Sequence, residues 1–213
     1  MKLELIPYSE FQRVNELPIG DHLKFSLISD MCRANALTGV KNAGSGHLGS
    51  SLSSMDLVVW LYYHEMNILL EGLDSPNRDI YFSSKGHDVP GLYAVLFSLG
   101  ILPEEKFLNL RRLGGLDGHP DVGIDGIEAN SGSLGMGISK AIGMAWAKQR
   151  LHHEGVVYVM TGDGEFQEGQ NFEALQSCVQ QKVNHLTVIM DHNKVQSDRP
   201  VEETYTDFKP GQG

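Results

Sequence analysis

The sequence predicts an α/β layered fold, a mostly parallel sheet with helices on both faces, and two observations carry that prediction. Two short apolar runs, Val156–Met160 and Leu186–Met190, flank one helical segment, 169–181, whose Phe172, Leu175, Cys178 and Val179 share a face. Each run then stops abruptly in polar turn residues, Thr161-Gly162-Asp163-Gly164 after the first and Asp191-His192-Asn193 after the second. Strand, turn, helix and strand, with both strands apolar throughout, is the pattern of a βαβ unit in a buried parallel sheet. The general rule for such units makes the crossover right-handed.

The rest of the chain supplies the covering elements. Residues 1–20 read as an N-terminal extension and 21–213 as the domain itself. Leu23, Phe25, Leu27, Ile28 and Met31 give 21–41 a helical apolar stripe, broken by the small residues of Asn42–Gly46. Ser53 or Ser54 is placed to cap a second helix from about Met55 to Leu70. Arg78–Ser83 reads as a short strand. A helix over 89–99 should stop at Gly100, and Pro103 should open a short one through Leu110. Residues 114–126, with five glycines, one proline and four Asp or His side chains, read as loop. Ser133–Leu151 reads as a helix in which glycines 135, 137 and 143 permit close packing.

Composition narrows the function. With 17 basic and 27 acidic residues the net charge is −10, which argues against nucleic-acid and anionic-membrane partners. The most apolar run, 57–70, is interrupted by His64, Glu65 and Asn67, so it does not read as a membrane span. The N-terminus lacks the pattern of a signal peptide. Two cysteines, Cys32 and Cys178, suit a reducing cytoplasm rather than a disulfide framework.

Ligands of open α/β sheets bind beyond the carboxyl ends of the strands. Adjacent parallel strands would bring Asp163 and Asn193 together there, and a carboxylate with an amide oxygen suits Mg²⁺ or Ca²⁺ rather than zinc. Gly164, having no Cβ, lets its N–H approach a phosphate at the start of the next helix. A bare Gly-Asp-Gly is more often only a turn, and a lone Asn only a cap. The occurrence of both signals at successive strand ends favours the site.

The stretch GDGEFQEGQNFEAL, with Asn193 thirty positions after Asp163, resembles the thiamine-diphosphate motif of the transketolase family. Gly46-His47-Leu48-Gly49 resembles its GHxG segment, and Ser83-Ser84-Lys85-Gly86-His87 its diphosphate-contacting segment. Gly118-His119-Pro120 resembles its GHP loop, and Ser131–Gly137 its SGxLGxG segment. The segments occur in unbroken order over about 20–203. The resemblance implies that Asp163, Asn193 and the Val195 carbonyl hold the metal. It places Gly164 and His87 at the cofactor diphosphate and Gly132, Ser133 and Leu134 beside the thiazolium and aminopyrimidine. His47 and His119 would face a sugar or sugar-phosphate substrate, and Glu168 would act at an interface linking cofactor sites. His47, His87 and His119 each follow a glycine in a loop, where imidazoles suit proton exchange with carbonyls and hydroxyls. Lys85 reads as a surface charge or a weaker diphosphate contact.

The resemblance thus implies the diphosphate-binding half of a split, Mg²⁺-dependent transketolase-like enzyme that moves a two-carbon ketol unit between sugars. An E1-type subunit of a 2-oxoacid dehydrogenase, or a non-catalytic assembly subunit, is the alternative. Too little follows Asn193 for the pyrimidine-binding domain, so the half reads as shortened at its C-terminus. A separate pyrimidine-binding subunit is expected, in an α₂β₂ assembly, facing the helix 133–151 and the helix after Glu168.

Overall fold

A computed structural model describes residues 3–196 and 199–204. The remainder of the expected domain, 205–213, lies outside the described residues. The chain divides into two compact units, Met1–Leu69 with His87–Asn130, and Leu70–Gly86 with Ser131–Gly213.

The first unit is helical. Helix α1 (Tyr8–Asn15) buries Phe11 and Val14, and α2 (Asp21–Ala43) follows the predicted span closely. Gly44, at φ +78°, ends α2 in the left-handed conformation that the Asn42–Gly46 break implied. The single helix expected over 55–70 is instead a broken series. Helices α3 (Gly49–Ser53) and α4 (Met55–Trp60) are followed by one π-helical turn, Leu61–Glu65, before the backbone turns extended at Met66. A last turn, α5 (Ile68–Glu71), completes the series. Ser54 does precede α4, but its hydroxyl donates back to the Ser50 carbonyl and caps no amide.

Helix α6 (Val89–Ser98) is buried at every position, as expected of a segment apolar on all sides. It packs on α2, and Phe97 meets Phe11 edge to face with ring centroids 6.2 Å apart. Burial in this core pushes the Cys32 thiol up to about 12, so it stays a neutral hydrophobe. The short α7 (Glu104–Leu108) buries Phe107, and 114–126 is loop as read from its glycines.

The second unit holds the sheet. Strands β1 (Ile80–Ser83), β2 (Val157–Gly162) and β3 (Leu186–Asp191) run parallel in the order β1-β2-β3, with Gly162 opposite Asp191. The expected α/β class with a parallel sheet is the one observed. Val157 through Thr161 are all buried, so β2 is covered on both faces. Strand β3 departs from expectation: Leu186 and Val188–Met190 are only half-buried and Thr187 is exposed. Among the described residues it pairs on one side only, and an edge strand keeps one flank of its backbone and side chains near water.

Helix α8 (Gly137–Leu151) packs on β2 and β3 and begins four residues later than the sequence predicts. Gly135, at φ +81°, cannot belong to a right-handed helix, which confines Ser133–Met136 to a loop. Helix α9 (Gly169–Gln180) connects β2 to β3 and packs on α8. A small antiparallel pair, β4 (Val195–Gln196) and β5 (Arg199–Pro200), and a turn of helix, α10 (Val201–Thr204), close the described chain.

Candidate functional site

The carboxyl ends of the three parallel strands gather the site in the second unit. Asp163 stands one residue past β2 with 1 % of its surface exposed. Its Oδ2 accepts the Lys194 amide at 2.7 Å, and its Oδ1 accepts the Gly164 amide at 2.8 Å. Its own amide donates to the Asp191 carbonyl at 3.3 Å. Asp163 is therefore joined directly to the turn after β3, and the juxtaposition expected of adjacent parallel strands is present. In that turn Asn193 Oδ1 accepts the Val195 amide at 2.8 Å, with Lys194 at φ +63°.

The Gly164 amide, expected to face a phosphate, is turned onto its neighbour's carboxylate. A 3-10 turn, Glu165–Gln167, stands between it and α9, so no α-helical N-terminus begins there. A Cβ at Gly164 would lie 2.7 Å from Gln196 Cβ, so the position is closed to larger residues.

Two charged residues that the sequence reading did not assign belong to this end of the sheet. Lys85, read as a surface charge or weak contact, has only 2 % exposure, and its Nζ meets Asp191 Oδ2 at 2.5 Å. Asp191 Oδ2 also accepts Asn193 Nδ2 at 3.4 Å, which directs the amide nitrogen toward Asp191 and the oxygen the other way. The signal that could have found both was already in use. Lys85 follows β1 and Asp191 ends β3, the same strand-end rule that singled out Asp163.

Gly132, Ser133 and Leu134 lie in the loop ahead of α8. Ser131 Oγ donates to the Ser83 carbonyl at 2.5 Å, fixing the loop to the end of β1. Ser133 and Leu134 are exposed, as a segment offered to a ligand must be. Glu168 is exposed at the start of α9, and a Cβ at Gly135 would stand 2.8 Å from Glu168 Cβ.

The three histidines belong to the first unit. His47 is exposed between α2 and α3, and its carbonyl accepts the Ser51 hydroxyl at 3.0 Å. The Asp88 carbonyl stands 3.0 Å from the same hydroxyl and shares its one proton, tying the His47 loop to the turn carrying His87. The His47 and His87 rings lie edge to face with centroids 5.2 Å apart. His119 is exposed in the 114–126 loop, its carbonyl accepting the Tyr93 hydroxyl at 3.4 Å. The structure brings His47 and His87 together and holds His119 by its backbone.

The second unit's donor set is one buried carboxylate, one amide oxygen and the carbonyls of a tight turn, all hard oxygens. Such a set fits a Mg²⁺ that completes its shell with water and phosphate oxygens. Each carboxylate oxygen of Asp163 accepts a backbone amide and keeps a lone pair for a cation. In an open parallel α/β domain, ligands bind beyond the carboxyl ends of the strands, where these oxygens stand.

The chain belongs to the transketolase family: the family model "Transketolase, thiamine diphosphate binding domain" matches residues 25–210. It is 39% identical over 162 residues to one of the subunits of the apulose-4-phosphate transketolase of Actinobacillus succinogenes, covering 74% of this chain and 59% of that one. It is 38% identical over 177 residues to the 6-deoxy-6-sulfo-D-fructose transketolase subunit SqwG of a Clostridium species, covering 82% and 64%. The transketolase of Leishmania mexicana superposes with a TM-score of 0.79 at 27% identity, covering 88% of this chain and 29% of that one. The chain thus spans less than two thirds of these relatives. Among the described residues no helix is long and apolar enough to cross a membrane.

Proposed function

We propose that this chain is the diphosphate- and metal-binding subunit of a split transketolase that transfers a two-carbon ketol unit between sugars. The observation that carries the reading is Asp163, a carboxylate buried at the end of β2 and joined by its Oδ2 to the turn after β3. In this reading Asp163, Asn193 and the Val195 carbonyl hold Mg²⁺. Gly164, His87, Gly132, Ser133 and Leu134 hold thiamine diphosphate, which when bound supplies the nucleophilic carbon that takes up the ketol fragment.

The chain's own residues have separate tasks. Asp163 places one negative charge against the cation, and Asn193 adds a neutral oxygen. Held by one carboxylate and neutral oxygens, the cation would keep a net positive charge to offset the negative charge of the diphosphate. His87 donates to diphosphate oxygen. His47 and His119, exposed imidazoles on glycine-flanked loops, exchange protons with substrate carbonyl and hydroxyl groups. Glu168, exposed at the start of α9, stands where a neighbouring subunit can reach it. Several relatives are named as single subunits of a transketolase, which supports a separate, pyrimidine-binding partner for this chain, in an α₂β₂ assembly of closed symmetry. The acidic balance and paucity of cysteine are consistent with a cytoplasmic enzyme.

The test is reconstitution. The chain alone should release no labelled product from a ketose donor, and adding a pyrimidine-domain subunit with Mg²⁺ and thiamine diphosphate should restore transfer. Full activity of the chain with no copurifying subunit by mass spectrometry would contradict the split arrangement.

A further inference from the structure

Resting on that reading, we infer that Glu165 is a positioning residue whose buried carboxylate locks the cofactor loop and the peptide ahead of Asp163 into one arrangement. Glu165 lies in the 3-10 turn after Asp163 with 3 % exposure. Its Oε1 accepts the Ser84 hydroxyl and the Gly135 amide, the latter at 2.9 Å. Its Oε2 accepts the Gly162 amide at 3.2 Å. Ser84 Oγ in turn accepts the amide of Gly137, the first residue of α8, at 3.0 Å. The Glu165 carbonyl accepts Asn171 Nδ2 at 2.8 Å and the Glu168 amide at 3.0 Å.

One side chain therefore gathers three pieces of chain, the end of β1, the end of β2 and the 131–136 loop, and through Ser84 it also holds the start of α8. Its backbone fastens α9 to the same point. The donors explain why the residue is acidic. An ionised carboxylate only accepts, and here three buried donors converge on its two oxygens. A glutamine would turn its NH₂ toward one of them and leave that donor unsatisfied in a buried site. Gly132–Leu134, assigned to the cofactor, precede the clamped Gly135. Gly162, also clamped, precedes the metal-binding Asp163. Altering groups that orient ligands from behind in this way commonly costs about 10- to 100-fold in metal affinity.

The experiment is Glu165→Gln in the full chain, with Mg²⁺ and thiamine diphosphate as the probe. Amide hydrogen exchange at Gly135 and Gly162 should accelerate, and the cofactor dissociation constant should rise about tenfold or more. In the reconstituted enzyme the cofactor concentration at half-maximal rate should rise in step, while the rate at saturation stays within about twofold. A merely structural role would not produce that split. If Glu165→Gln fails to fold, Ser84→Ala, which removes one donor, should shift the same quantities in the same direction. Unchanged exchange, or faster exchange with unchanged cofactor affinity, overturns the inference. Reconstituted wild-type enzyme that binds no cofactor would instead overturn the thiamine-diphosphate reading, while the exchange arm still judges the clamp.

Discussion

At Asp163 a nearly water-free carboxylate accepts two backbone amides, and a charged pair, Lys85 with Asp191, stands at the same end of the sheet. Lys85 and Asp191 have side-chain exposures of 2 % and 9 %, so their ion pair is largely withheld from water. Removing one partner of a buried ion pair strands the other's charge away from water, which costs about 3–5 kcal/mol. Lys85→Met should therefore lower the free energy of unfolding by about that amount in a denaturant titration. The same substitution releases Asp191 beside Asn193, so it should also disturb the amide that Asp191 orients. A Lys85→Met variant as stable as wild type would show that Asp191 finds another partner. This pair was hard to read in the sequence because Lys85 looks like any solvated lysine until β1 is placed beside β2. The positions of Asp163 and Asn193 were legible because each closely follows an apolar run.

Among elements, the loop before α8 shows how backbone conformation overrides apolar pattern. The periodicity of 133–151 reads as continuous helix, yet Gly135 takes a positive φ and its face abuts Glu168. Gly135→Ala should cost about 1–2 kcal/mol from the left-handed backbone alone. Because its Cβ would also crowd Glu168, the melting temperature should fall further than that figure implies. An unchanged melting temperature would mean that the loop can move aside freely. The same physics accounts for other departures. The helix predicted over 55–70 passes into a π-helical turn at Leu61 and breaks at Met66, where no proline or glycine signals a break. Strand β3 carries the apolar composition of a buried strand but sits at an edge among the described residues, and strand position is a property of the sheet. Strand order and long-range hydrogen bonds such as those of Glu165 lie between segments distant in sequence, where periodicity says nothing. The parallel β2–β3 pair, α2, α6 and α9 were legible because each has a clean pattern and a polar or glycine stop.

For the whole molecule, the proposed function divides the work between a helical unit carrying His47, His87 and His119 and a sheet unit carrying the proposed metal ligands Asp163 and Asn193. That division makes the histidine roles separable in the reconstituted enzyme. His87→Ala should raise the cofactor dissociation constant about tenfold or more. His119→Ala should leave cofactor affinity near wild type and lower turnover about a hundredfold, the scale of a lost general acid–base. Poor cofactor binding by His119→Ala, with normal turnover once saturated, would show the two roles exchanged. The central claim is that the carboxyl ends of β2 and β3 form a Mg²⁺-dependent thiamine-diphosphate site. Its most direct test is calorimetric titration of thiamine diphosphate into wild-type and Asp163→Ala protein, with and without Mg²⁺. Heat of binding that requires both Mg²⁺ and Asp163, with the variant's circular dichroism unchanged, is the result expected. Equal affinity in the folded Asp163→Ala variant would contradict the site.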